Sequence, residues 1–127
     1  MNQLNTAADL GGRVLLALIF IIAGFDKIGG YEGTQAYMAS QGVPGALLPL
    51  VILLELGGGI ALVLGLFTRW VALALAGFSI ASAVLFHFDP NDQMQMIQFM
   101  KNLAIAGGFL VLARHGAGAW SLDARRG

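Results

Sequence analysis

Four apolar stretches, each long enough to cross a bilayer, leave this chain of 127 residues few folds to choose from. They run over Leu10–Ile28, Ala46–Phe67, Trp70–Phe88 and Ile97–Ala113. In hydrocarbon no water satisfies a free N–H or C=O, so each stretch must close its own hydrogen bonds as a helix. Composition agrees: 57% of residues are hydrophobic and 11% charged, with a mean hydropathy of +0.77. The expectation is an all-α integral membrane protein, one domain over residues 1–127, folded as an antiparallel four-helix bundle. The amino terminus has no basic n-region, and no small-residue cleavage site interrupts the first stretch, which reads as an uncleaved span.

The connections set the topology. Only Thr68-Arg69 separate the second and third spans, which forces a tight antiparallel hairpin. Between the first and second lies GGYEGTQAYMASQGVPG, where Thr34 can cap a short helix that Gly42 ends and Pro44 prevents from continuing. This helix is expected along the membrane surface, with Tyr31, Tyr37 and Met38 at the interface. DPNDQMQ supplies the last turn and an acid for the start of the fourth helix. Arg13, Arg69, Arg114, Arg125 and Arg126 fall on the side shared by both termini, against Lys27 and the deeper Lys101 on the other. By the excess of arginine, both termini are expected to face the cytoplasm.

Helices that are apolar all round must meet at seams of small residues. Gly57, Ala61 and Gly65 repeat at four-residue spacing in the second span, Gly77 and Ala81 in the third, Ala104 and Gly108 in the fourth. Close packing explains them. The Gly57-Gly58-Gly59 run has no following Lys-Ser/Thr and is no phosphate loop.

Seven basic and seven acidic residues cancel, so no basic field exists for nucleic acid. The absence of cysteine removes disulfides, thiolate metal sites and CxxC redox chemistry. What remains is a set of ionisable residues inside the spans. Counted from the arginines at about 1.5 Å per residue, Asp26, Glu55 and Lys101 each lie about 20 Å above the cytoplasmic boundary, and His87 about 27 Å. A charge facing lipid at mid-span costs at least about 2.5–3.5 kcal/mol, so Glu55 must be paired, protonated or wet. Lys101 at matching depth is its expected partner, with Asp26 competing for the same lysine. Asn102 sits one helical step, about 100°, from Lys101, so only one of the two points inward. Asp26, Glu55, His87 and Lys101 or Asn102, with Lys27 near the same end, are expected to converge on a pocket opening toward the outer face. The set either fixes helix register as a buried ion pair or holds a substrate or proton. No metal-ligand spacing and no catalytic triad accompanies it, so no metal is expected and catalytic residues stay unassigned by the pattern.

RVLLALIFIIAGFDKI, YMASQGVPG, ELGGGIALVLGLFTRW, FMKNLAIAGGFLVLA and a closing WSLD, in that order, resemble the DoxX family of small four-span bacterial membrane proteins over nearly the whole chain. The matching positions are Gly24, Lys27, Glu55, Gly65, Arg69, His87, Lys101 and Asn102. The resemblance implies a link to membrane oxidoreductases: the family takes its name from subunits associated with thiosulfate:quinone oxidoreductase, and other members are linked to redox stress. The expected surroundings are then the lipid bilayer, a quinone or other small hydrophobic molecule in the pocket, and an oxidoreductase complex or a second copy of the chain. A quinone is the one cofactor the resemblance implies. A small proton-coupled transporter and a noncatalytic scaffold or assembly factor remain alternative readings.

Overall fold

A computed structural model describes residues 3–126. Six helices follow in order: α1 (Gln3–Gly29), α2 (Tyr31–Ser40), α3 (Gly45–Leu64), α4 (Thr68–His87), α5 (Gln93–His115) and α6 (Leu122–Arg126). α1, α3, α4 and α5 are the spanning helices and run up and down in an antiparallel bundle. α1 packs along α3 and α4 along α5, while α1 and α5 touch over a short stretch only. The fold is therefore the all-α membrane bundle that the hydrophobic pattern demanded.

Most large apolar side chains point outward, among them Leu15, Ile22, Leu53, Leu73, Val84 and Leu110. In a bilayer these faces meet lipid, and exposure of this kind is what a spanning helix requires. The buried core is small and sits in the half of the bundle away from α2: Ala17, Phe20, Leu62, Ala72, Leu75, Ala76, Ala106 and Phe109. Phe20 anchors it, with its ring 5.4 Å from that of Phe109 and 6.3 Å from Phe78.

The small-residue seams differ from expectation. Gly57 and Gly77 face outward, as do Ala81 and Ala104, whereas Gly24 and Gly59 bring α1 and α3 together. A Cβ on Gly24 would stand 3.0 Å from the Leu56 backbone N, and one on Gly59 3.2 Å from the Ala17 carbonyl oxygen. Spacing shows that a face of small residues exists; on a helix apolar all round it cannot say which face meets a neighbour. Ala61 is half-buried, Gly108 packs against Leu16, and Gly65 is buried for a different reason.

Gly65 ends α3 with φ +71° in a Schellman turn, where its N–H donates to the Leu62 carbonyl and that of Leu66 to the Ala61 carbonyl. The hairpin turn is thus the three residues Gly65–Phe67, immediately before Thr68-Arg69, because α4 already begins at Thr68. Phe67 carries the left-handed φ of +51°. It is held there by Asp123, whose carboxylate accepts from the N–H of Phe67 at 2.7 Å and of Thr68 at 2.8 Å. Arg13, expected at the membrane boundary, is instead fully buried. Its Nη1 donates to the Leu62 and Val63 carbonyls, closing the C-terminus of α3, and its Nη2 donates to the Trp120 carbonyl. Asp9 and Asp123 supply the opposing charge. The carboxy-terminal segment therefore folds back over this end of the bundle as a clamp on the α3–α4 turn. Arg69 lies against Gly116, Arg114 and Arg125 are exposed, and the side chain of Arg126 lies outside the described residues.

At the opposite end α2 folds over the bundle. Gly42 follows it with φ +81°, and Gln35 Nε2 donates to the Gly45 carbonyl at the start of α3. Thr34 does not cap: it sits inside the helix, its hydroxyl donating back to the Gly30 carbonyl. Met38 is buried, and Tyr37 stacks on Phe86 of α4 at 5.4 Å, so this helix leans inward rather than lying free at the interface. Asp92 caps α5, accepting from the N–H groups of Met94 and Gln95.

Candidate functional site

Glu55 is 3% exposed at the centre of α3, within a short π-helical segment over Leu53–Gly57. A π turn widens the helix by one residue and turns a side chain that regular winding would place elsewhere. The partner of Glu55 is Lys27 of α1, with Nζ 2.9 Å from Oε1. Among the described residues no other donor reaches the carboxylate. The expected Glu55–Lys101 pair does not form, since Lys101 is exposed on the outward face of α5. Asp26 is exposed as well, pointing away from the layer it was assigned to. Both corrections have one cause: depth along a helix and direction around it are independent coordinates, and counting residues gives only the first.

The remaining predicted residues do come together. A second π segment, Ala83–His87, ends α4 and presents His87 to the same interior. Two adjoining cavities share Glu55, Phe78, Ser82 and His87 as a common wall. The outer one, about 180 Å³, lies beneath α2 and adds Lys27, Thr34, Tyr37, Met38, Val51 and Phe86. The inner one, about 120 Å³, lies between the four spans and adds Ser79, Asn102 and Ile105 with Ile19, Phe20 and Ala23 of α1. Of the pair Lys101-Asn102, it is Asn102 that turns inward.

The polar groups here have capacity to spare. Ser79 is 3% exposed and its Oγ has no partner among the described residues, although it faces the inner cavity. His87 Nδ1 lies 2.9 Å from Gln95 Oε1, an acceptor, which leaves Nε2 of the neutral ring free to accept. A buried hydroxyl and a buried carboxylate with open valences are costly unless something else meets them. Ser79, Ser82, Tyr37 and Phe86 were missed by sequence reasoning. The two serines carry the one usable signal, polar residues three apart in an otherwise apolar span and close to His87 in the same helix.

A four-span bundle with a Lys27–Glu55 pair beside small, mainly apolar cavities that carry a few polar groups defines a compact polytopic membrane protein. The sequence profile of the DoxX family matches residues 8–88, and the chain belongs to that family. The match spans α1 to α4 and so contains Lys27, Glu55, Ser79, Ser82 and His87, with Asn102 beyond it. The chain is 51% identical to "Inner membrane protein YqjF" of Escherichia coli over 97% of its own length and 95% of the relative's. It is 43% identical to "Inner membrane protein YphA" of the same organism, over 89% and 86% of the two chains. "Putative oxidoreductase CatD" of Bacillus subtilis is 31% identical over 84% and 82%. No solved structure matches it.

Proposed function

We propose that this protein is a membrane component of a quinone-linked oxidoreductase or redox-stress system of the bacterial inner membrane, with both termini in the cytoplasm. The observation that carries the reading is Glu55, paired with Lys27, at the shared wall of two adjoining cavities, the inner one faced by a Ser79 hydroxyl with no partner among the described residues. The relatives' names support the location and, for CatD, the oxidoreductase direction. The exposed Arg69, Arg114 and Arg125 at the end opposite α2 support the orientation.

The residues present fit a quinone headgroup. Lys27, Ser79, Ser82 and Asn102 offer donors to carbonyl oxygens, and Phe78, Tyr37 and Phe86 offer flat apolar walls. Quinone, when bound, supplies the electron-carrying chemistry, which this cysteine-free chain cannot. The chain's own part is to orient a ring, exclude bulk water, and hold a proton at the Glu55 carboxylate or His87 Nε2. Against the transporter alternative stands the apolar core below the cavities, where Phe20, Leu62, Leu75 and Phe109 are buried against one another and carry no polar group for a solute.

The test is the thermal stability of the detergent-solubilised protein with a short-tailed quinone analogue. Stabilisation is expected for the wild type and for Lys101→Met, and none for Glu55→Gln measured against its own baseline. No shift in the wild type at saturating analogue sinks the proposal.

A further inference from the structure

Asp26 and Lys101 are charged residues on spanning helices whose side chains the bundle leaves outside. One helical step is about 100°, so the register that turns Lys27 and Asn102 into the cavities turns Asp26 and Lys101 out. Among the described residues neither makes an ion pair. Lys101 stands in a surface trough of about 540 Å³ with Gln93, Met96, Ile97, Met100 and Ala104, all from α5 itself. A lysine facing lipid costs about 2.5–3.5 kcal/mol at the centre of a span and less toward its end, where Lys101 stands four residues inside Ile97–Ala113, and an acid that meets it relieves that cost.

The chain carries that acid at the right depth. Leu16 Cδ2 lies 3.3 Å from where Gly108 would carry a Cβ, which levels α1 against α5. From that contact Asp26 is ten residues on, about 15 Å toward the α2 end, and Lys101 seven residues back, about 10 Å the same way. The offset of about 5 Å is within the span of a lysine side chain. A two-fold axis along the membrane normal keeps every residue at its own depth, so opposite charges can meet across it only if their depths match. α5 is also the least covered span: 11% of its apolar window is buried, against 22–28% for the others. Its outward Ala104 and Gly107 let another backbone approach, with nothing within 4 Å of a Cβ built on Gly107.

We infer that the α1–α5 flank is the interface of a homodimer in which Asp26 of one copy pairs with Lys101 of the other, twice across a two-fold axis. A second copy is the occupant because one chain supplies both charges at one depth, and the isologous contact satisfies all four at once.

The chain has no cysteine, so engineered thiols report without background. Differently tagged Asp26→Cys and Lys101→Cys variants, co-expressed and oxidised in native membranes, should give a mixed disulfide at the summed mass. In a bilayer association assay, Lys101→Asp should weaken dimerisation by about tenfold or more, and adding Asp26→Lys should restore it. Three results overturn the inference: no mixed disulfide, a disulfide confined to single chains of the doubly substituted variant, or Lys101→Cys captured by a different protein. A Lys101→Asp variant that dimerises as well as the wild type overturns it too.

Discussion

Lys27 and Glu55 illustrate how asymmetric a buried pair is. Removing one partner strands the other charge in a low-dielectric interior, while removing both leaves a neutral cavity wall. Lys27→Met should lower unfolding stability by about 3 kcal/mol, at the low end for a buried pair because 28% of the lysine side chain is exposed. The double variant Lys27→Met/Glu55→Gln should recover most of that loss, and chemical denaturation in detergent measures both. Lys101→Met should leave monomer stability unchanged, since no partner in its own chain loses a charge. The need for a counter-ion was legible in the sequence, because a carboxylate in VILLELGGG has no water to turn to. Its identity was not: Lys27 and Lys101 both lie within reach by count, and only the rotation of α1 and α5 separates them.

At the level of helices, the site depends on two departures from regular winding and on close approaches by glycine. Gly59→Ala should destabilise by about 1–3 kcal/mol, since the added carbon would crowd Ile21 and the Ala17 carbonyl oxygen. Gly57→Ala, with nothing nearer than 3.7 Å, should be neutral or stabilise by up to about 1 kcal/mol through helix propensity. A shift in thermal midpoint of opposite sign for the two variants is the expected readout. Asp123→Ala removes the side chain that caps α4 and should cost about 1–2 kcal/mol, with the α3–α4 turn becoming the most protease-sensitive point of the chain. The number, order and approximate limits of the four spanning helices followed from hydropathy and turn residues, while α6 did not. Nor did the π segments and the carboxy-terminal clamp; the clamp is made of contacts between residues far apart in the chain, Arg13 with Trp120 and Asp123 with Phe67 among them.

Across the whole molecule, three layers are stacked along the bundle axis. Nearest α2 are the two adjoining cavities that share Glu55, Ser82 and His87, below them Phe20, Leu62, Leu75 and Phe109 pack together, and at the end of the termini Arg13 is buried under the carboxy-terminal segment. A one-sided interior predicts one-sided access. In the cysteine-free background, Ser82→Cys should react with a small membrane-impermeant thiol reagent from the α2 side and stay unreacted from the side of the termini. Equal reaction from both sides would reopen the transporter reading.

The sequence by itself determined the solvent and the number of spans, because hydrophobic length is a property of a segment alone. Only the tertiary structure decided which of the charges meet. Direction around a helix axis gains meaning when a neighbour is present, and in a chain apolar on every face no stripe of polarity announces it beforehand. That is why Glu55, His87, Lys27, Asn102, Asp26 and Lys101 could all be singled out from the sequence, while only the packed helices made Lys27 the partner of Glu55, brought Ser79 in and turned Asp26 and Lys101 out.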